Sequence, residues 1–203
     1  VHVIVTENAY IPVWGTYITT PTATKEFAKV NVQTKIVLPE GADASKYSVK
    51  TSVWNPNGQK LTEQTIPLSQ IKYNDNSLSQ EFIIQTPTLW SPDMPALYSA
   101  ETRLYEGDQL KDIYTTPFGI RSIEIIPNKG FFLNGEKTVF KGVCNHHDLG
   151  PLGAAVNDAA IRRQIRILKD MGCNAIRTSH NMPAPELVRA CDEMGMMLMV
   201  ESF

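Results

Sequence analysis

The first part of the chain alternates apolar and polar positions with a period of two. From Phe27 to Leu38, Val30, Val32, Thr34 and Ile36 fall on one face and Asn31, Gln33 and Lys35 on the other, as in a half-buried strand. Tyr47 to Trp54 repeats the pattern with Tyr47, Val49, Thr51 and Val53. It stops at Asn55-Pro56-Asn57-Gly58, where proline presets φ and glycine accepts a positive one. Further runs lie at Val1 to Val5, Val13 to Thr19, Leu78 to Gln85, Leu97 to Tyr105 and Leu110 to Tyr114, separated by turn formers such as Glu106-Gly107-Asp108. Many short strands without a helix-length period predict an antiparallel β-sandwich over residues 1–125.

The texture changes after about Ile126. Asn134-Gly135 sits between the apolar runs of Phe131 to Phe140, a strong hairpin signal because both turn residues tolerate positive φ. Asn157 or Asp158 can then cap a helix carrying Ile161, Ile165 and Leu168, with Gly172 as its stop. Asn174 to Thr178 predicts a short buried strand. Pro185 opens a second helix with Leu187, Val188, Cys191 and Met194 on its apolar side, ended by Gly195. Met196 to Val200 is an apolar run too short for a helix. The order strand, helix, strand, helix, strand, starting near Phe140, is a β/α repeat that builds a parallel sheet by right-handed crossovers.

Composition narrows the partners. The 203 residues are 42% hydrophobic and 20% charged with a net charge of -2, so the chain has a core to bury and no field that favours nucleic acid or an anionic membrane. No apolar run reaches the length of a membrane-spanning helix, and the first residues lack the order of a signal peptide. The sequence starts at Val1 and stops at Phe203 inside an apolar segment, which reads as a processed protein or an excised piece; the compartment stays open, with a periplasmic or extracellular setting compatible with a longer parent. Cys144, Cys173 and Cys191 form neither a disulfide framework nor a CxxC pair. They are expected as core or strand-wall residues. With no H-E-x-x-H either, a zinc site is not favoured.

Polar residues gather where the parallel strands end: Cys144-Asn145-His146-His147-Asp148, then Arg177-Thr178-Ser179-His180-Asn181, then Glu201-Ser202. Carboxyl ends of parallel strands are where loops converge and ligands bind. Of the adjacent His146 and His147, alternation lets one face the ligand. Arg177 ends an otherwise small and apolar strand, where a buried guanidinium requires a carboxylate, and Glu201 on the neighbouring strand can supply it. His180 lies a step beyond the strand, within reach of the cleft.

At these residues the sequence resembles glycoside hydrolase family 2, the group of β-galactosidases, β-glucuronidases and β-mannosidases. Asn174-Ala175-Ile176-Arg177-Thr178-Ser179-His180, then Pro183, then Cys191-Asp192-Glu193-Met194-Gly195 and an apolar strand, is similar to that family's first signature, N-x-x-R-x-S-H-Y-P leading into D-x-x-G. Asn181 stands where the family usually has Tyr. Lys141-Gly142-Val143-Cys144-Asn145-His146 resembles the R-G-V-N-R-H element, with Cys144 and Asn145 in place of Asn and Arg. The His147-Asp148-Leu149-Gly150 continuation is similar to β-galactosidase-like members. Leu89-Trp90-Ser91-Pro92-Asp93-Met94-Pro95-Ala96-Leu97-Tyr98 and Phe118-Gly119-Ile120-Arg121 resemble elements of the immunoglobulin-like domain that precedes the catalytic barrel.

The resemblance implies a mainly β chain: an immunoglobulin-like antiparallel β-sandwich at 1–125 and, at 126–203, the N-terminal part of a (β/α)8 TIM barrel, truncated. The parent would be a retaining exo-β-glycosidase that hydrolyses terminal β-galactosides by double displacement. By the resemblance His146, His180 and Asn181 bind the sugar while Arg177 and Glu201 support the site from beneath. Both catalytic glutamates are expected beyond residue 203, so the chain alone is expected to be inactive and to carry no catalytic residue. No metal or cofactor is expected in this chain, with Mg²⁺ left open for the parent. The partner is a carbohydrate, and the unfinished barrel is expected to drive self-association. The alternative is a non-catalytic carbohydrate-binding or structural β-sandwich module.

Overall fold

The computed structural model describes residues 3–70 and 77–202. Its strands and helices fall into two compact units: the described residues up to Pro87 together with Tyr98–Ile120, and Thr88–Leu97 together with the described residues from Arg121 on.

The first unit holds β1 (Thr16–Ala23), β2 (Phe27–Lys35), β3 (Tyr47–Trp54), β4 (Lys60–Pro67), β5 (Ser77–Gln85), β6 (Tyr98–Glu106) and β7 (Gln109–Phe118). All pairings are antiparallel, in sheets ordered β1-β2-β5 and β4-β3-β6-β7. The period-two faces are realised: Ala28, Val30, Val32 and Thr34 of β2 are buried, as are Tyr47, Val49, Thr51 and Val53 of β3. A fully buried polar group crosses between the sheets. Gln80 of β5, 1% exposed, accepts a hydrogen bond from Thr51 Oγ1 at 2.6 Å and donates to the Gln64 carbonyl at 3.0 Å, so it is buried with its amide satisfied, as burial of a polar group requires.

Three details of the sandwich differ from the sequence reading. Residues 3–5 are exposed and carry no strand, and Val1 and His2 lie outside the described residues. The run from Val13 becomes a turn, closed by Gly15 N–H donating to the Pro12 carbonyl at 2.7 Å, and the strand begins only at Thr16. Strand β4 has no clear period-two signature because it is an outer strand paired only with β3, and it buries no side chain fully.

The second unit holds β8 (Ile123–Ile126), β9 (Gly130–Leu133), β10 (Glu136–Lys137), β11 (Gly142–Asn145), α1 (Asp158–Asp170), β12 (Ala175–Thr178), α2 (Pro185–Met194) and β13 (Met197–Met199). The hairpin turn falls on Asn134 and Gly135, with φ of 54° and 80°, and β8 adds a strand beside β9 that the pattern did not announce. Strands β11, β12 and β13 form a parallel sheet in that order. Asn157 caps α1 by accepting from Ala160 N–H at 3.0 Å, and Ile161, Ile165 and Leu168 are buried. Gly195 ends α2 at φ 75°; a Cβ there would lie 2.2 Å from the Pro92 carbonyl oxygen, so glycine is required twice over. Of the predicted apolar side of α2, Cys191 is buried, whereas Val188 is exposed and Ala190 takes the core position.

The segment 88–97 fastens this unit. Trp90, 2% exposed, donates its indole N–H to the Asp192 carbonyl at 2.8 Å and accepts at its own carbonyl from Asn134 Nδ2 at 3.0 Å, with the Arg121 guanidinium 4.9 Å over its ring. The Lys169 ammonium donates to the carbonyls of Pro92, Met194 and Gly195 at 2.8, 2.6 and 3.1 Å. It thereby satisfies the open C-terminal end of α2, where a cation is favoured. Trp90→Ala should lower the stability of this unit by about 3–5 kcal/mol, read by urea unfolding, whereas Ile125→Ala at an exposed position should stay within about 0.5 kcal/mol.

Candidate functional site

The parallel sheet presents two different faces because successive residues of a strand point to opposite sides. In register, Val143, Ile176 and Leu198 form one row that packs against Ile161, Ile165 and Leu168 of α1 and Ala190 and Cys191 of α2. The rows on the other face are Gly142, Ala175 and Met197, then Cys144, Arg177 and Met199. Ala175 and Met197 are covered by Trp90 and Leu133. One step nearer the carboxyl ends, Cys144 and Arg177 are exposed, so that face is packed at the bottom and open at the top.

Glu201 organises the open end. One carboxylate oxygen pairs with the Arg177 guanidinium and the other lies 2.9 Å from His180 Nδ1, while its backbone N–H donates to Thr178 Oγ1 at 3.1 Å. Burial raises the Glu201 pKa, but the hydrogen bonds and charges of His180 and Arg177 outweigh it and hold the carboxyl below the usual glutamate range. An ionised carboxylate only accepts, so Nδ1 of His180 carries a proton and, in the neutral ring, Nε2 keeps a lone pair. The His146 ring meets His180 edge-on with centroids 5.4 Å apart.

His146, His180, Arg177 and Glu201 are therefore brought together. Asn181 is exposed, and its side chain has no hydrogen-bond partner among the described residues. Two expectations about these side chains are corrected. The Arg177 side chain is not buried but 45% exposed, against 19% for Glu201, because it sits on the face opposite the helices; its partner is nonetheless the one the pattern named. Cys144 is exposed rather than a core or wall residue, its sulfur 3.9 Å from an Arg177 nitrogen. Cys191 does lie in the core, where burial and then Asp192 push its thiol up to about 12.

Some features had no signal in the sequence. Asn145 Nδ2 and Ser179 Oγ are buried without a hydrogen-bond partner among the described residues, on segments joined by Ser179 N–H donating to the Asn145 carbonyl at 2.8 Å. A cavity of about 320 Å³, whose lining includes Leu149, Val156, Met182 and Leu187, shares His146 and His147 at these strand ends. Local patterning cannot foresee either, because both arise where separate loops meet. Among the described residues no group of three or more His, Cys, Asp or Glu side chains could hold a metal ion. No described helix is long and apolar enough to cross a membrane.

An antiparallel sandwich is thus joined in sequence to β/α units of a parallel sheet, with Arg, His and Glu at the strand ends. A family model described as glycosyl hydrolases family 2 matches residues 10–121, and one described as the TIM barrel domain of that family matches residues 124–202. The chain belongs to glycoside hydrolase family 2. It is 42% identical over 190 residues to the β-galactosidase BoGH2A of Bacteroides ovatus, covering 94% of this chain and 22% of that protein. It is 28% identical to a β-glucuronidase of Bacteroides fragilis, covering 91% of this chain and 26% of that protein. A solved family 2 member from Bacteroides cellulosilyticus superposes with a TM-score of 0.90 at 36% identity, over 98% of this chain and 27% of that one. The chain thus spans about a quarter of the length of these relatives.

Glu201 contributes to the acid limb of stability. Its lowered pKa contributes stability that is fully present above the unfolded glutamate value of about 4.3 and is lost as pH falls through the lower folded value. A carbon-detected titration of the Glu201 carboxyl should show a midpoint below that unfolded value, and in Glu201→Gln this component of the acid-induced loss should vanish.

Proposed function

We propose that this chain is part of a retaining exo-β-glycosidase acting on terminal β-galactosides, and that its share of the work is to form and brace the floor on which the sugar sits. The reading rests on the committed state of Glu201. Retaining hydrolysis needs a nucleophilic carboxylate and a second carboxyl group as general acid/base, about 5 Å apart. With one oxygen on Arg177 and the other on His180, Glu201 has neither a free face for attack nor a proton to give. It braces the imidazole, as second partners do for residues that touch a ligand. The cutting pair is assigned to later strands of the parent.

In this reading His180, with Nε2 as an acceptor, and His146 beside it take hydroxyl groups of the sugar, and Asn181 completes the rim. Arg177 keeps Glu201 ionised and so keeps the proton of His180 on Nδ1. No step needs a metal from this chain; Mg²⁺ would have to find its ligands in the parent. Galactose as the sugar is supported by the His147-Asp148-Leu149-Gly150 continuation and by the 42% identity to a protein named β-galactosidase. Self-association is supported by the outer position of β11 and β13 in the parallel sheet.

The purified chain should show no turnover of an aryl β-galactoside, while the full-length protein that carries it should hydrolyse the galactoside faster than the matching β-glucuronide. Turnover by the chain alone would place the acid pair within it, and a faster glucuronide would overturn the choice of sugar. Sedimentation velocity should find the isolated chain larger than a monomer.

A further inference from the structure

Cys144 is the residue of the open face to which the family reading gives no work. It lies directly across the strand register from Arg177, exposed, with its sulfur 3.9 Å from one terminal nitrogen of the guanidinium. The other terminal nitrogen meets Glu201. The third residue of that row, Met199, brings only a thioether from the far side. A guanidinium presents its donors in a rigid plane, and contacts at two edges fix that plane where a contact at one edge leaves it free to turn. Arg177 needs such fixing, since 45% of its side chain is exposed and no core packing holds it.

We infer that Cys144 is a positioning residue: its sulfur holds one edge of the Arg177 guanidinium so that the other edge meets Glu201, and Glu201 in turn holds Nδ1 of His180. The contacts run without a gap from β11 across β12 to the segment after β13, ending on the imidazole pair His180 and His146. The sulfur is a weak acceptor, so its work is geometric. The functional consequence rests on the sugar-floor reading above; the contact chain itself does not.

The test separates the two. In the 203-residue chain, nitrogen-15 spectra should show the Arg177 Nε–H and His180 ring resonances shifted and broadened in Cys144→Ala and largely restored in Cys144→Ser, which keeps an acceptor at that place. Unchanged resonances in a folded Cys144→Ala chain would overturn the inference, whatever the protein hydrolyses; if Cys144→Ala does not fold, a Cys144→Ser chain whose resonances match those of Cys144→Val would overturn it equally. In the full-length protein, Cys144→Ala should lower kcat/KM for an aryl β-galactoside roughly ten- to a hundredfold, as expected of a small misplacement, with Cys144→Ser recovering most of the loss. A loss in Cys144→Ala that Cys144→Ser does not recover would overturn the positioning role. Spectra that behave as expected in a protein without glycosidase activity would sink the proposed function and leave the positioning role of Cys144 standing.

Discussion

A short strand whose residues alternate between two unlike surroundings is the constraint on which the site depends. Ala175–Thr178 turns Ile176 toward two helices and Ala175 and Arg177 toward the opposite face. The register is strict, because a slip of one residue would exchange a core isoleucine for a guanidinium. Gly142 helps hold that register: a Cβ there would lie 1.9 Å from the Ala175 carbonyl oxygen, so β11 comes as near to β12 as it does only because the position is glycine.

The open face is polar at one end for a related reason. Trp90 and Leu133 close the lower row around Ala175 and Met197, and the upper row lies beyond their reach. A charged side chain placed low would meet a wall of hydrocarbon and lose its hydration without recompense. Placed high, Arg177 keeps water on one side and a carboxylate on the other. The same step in height separates stability from chemistry along each strand, as in parallel barrels generally. Segment 88–97, which the motif reading grouped with the sandwich, is held by the second unit through Trp90, Asn134 and Lys169.

The two units solve the burial of polar groups differently. In the sandwich Gln80 is enclosed with Thr51 and Thr102, and its amide is used at both ends. Such a group adds direction to a core that apolar contacts alone would leave tolerant of sliding. In the β/α unit Lys169 spends all three of its protons on carbonyls of two chain segments, closing the end of α2 against the turn at Pro92. Both residues look ordinary in the sequence. A glutamine in a strand and a lysine in the last turn of a helix are expected at the surface, and only the partners brought by distant segments give them their roles.

Whatever repeats at short range was legible from the sequence: the period-two faces of β2 and β3, the Asn134-Gly135 turn, the caps at Asn157 and Gly195, and the order of strand and helix that makes a parallel sheet. These depend on backbone geometry and on neighbours within a few residues, so they survive as pattern. The pairing of Arg177 with Glu201 was also legible, since adjacent parallel strands must bring their ends together. Tertiary structure alone decided which face of β12 the pair would occupy and that Arg177 would stay exposed. It also decided that Cys144 would stand beside the guanidinium, and that β4, with no side chain fully buried, would nevertheless be a strand. These outcomes depend on what packs against a residue from far away in the chain, and a side chain carries no local mark of the neighbour it will meet.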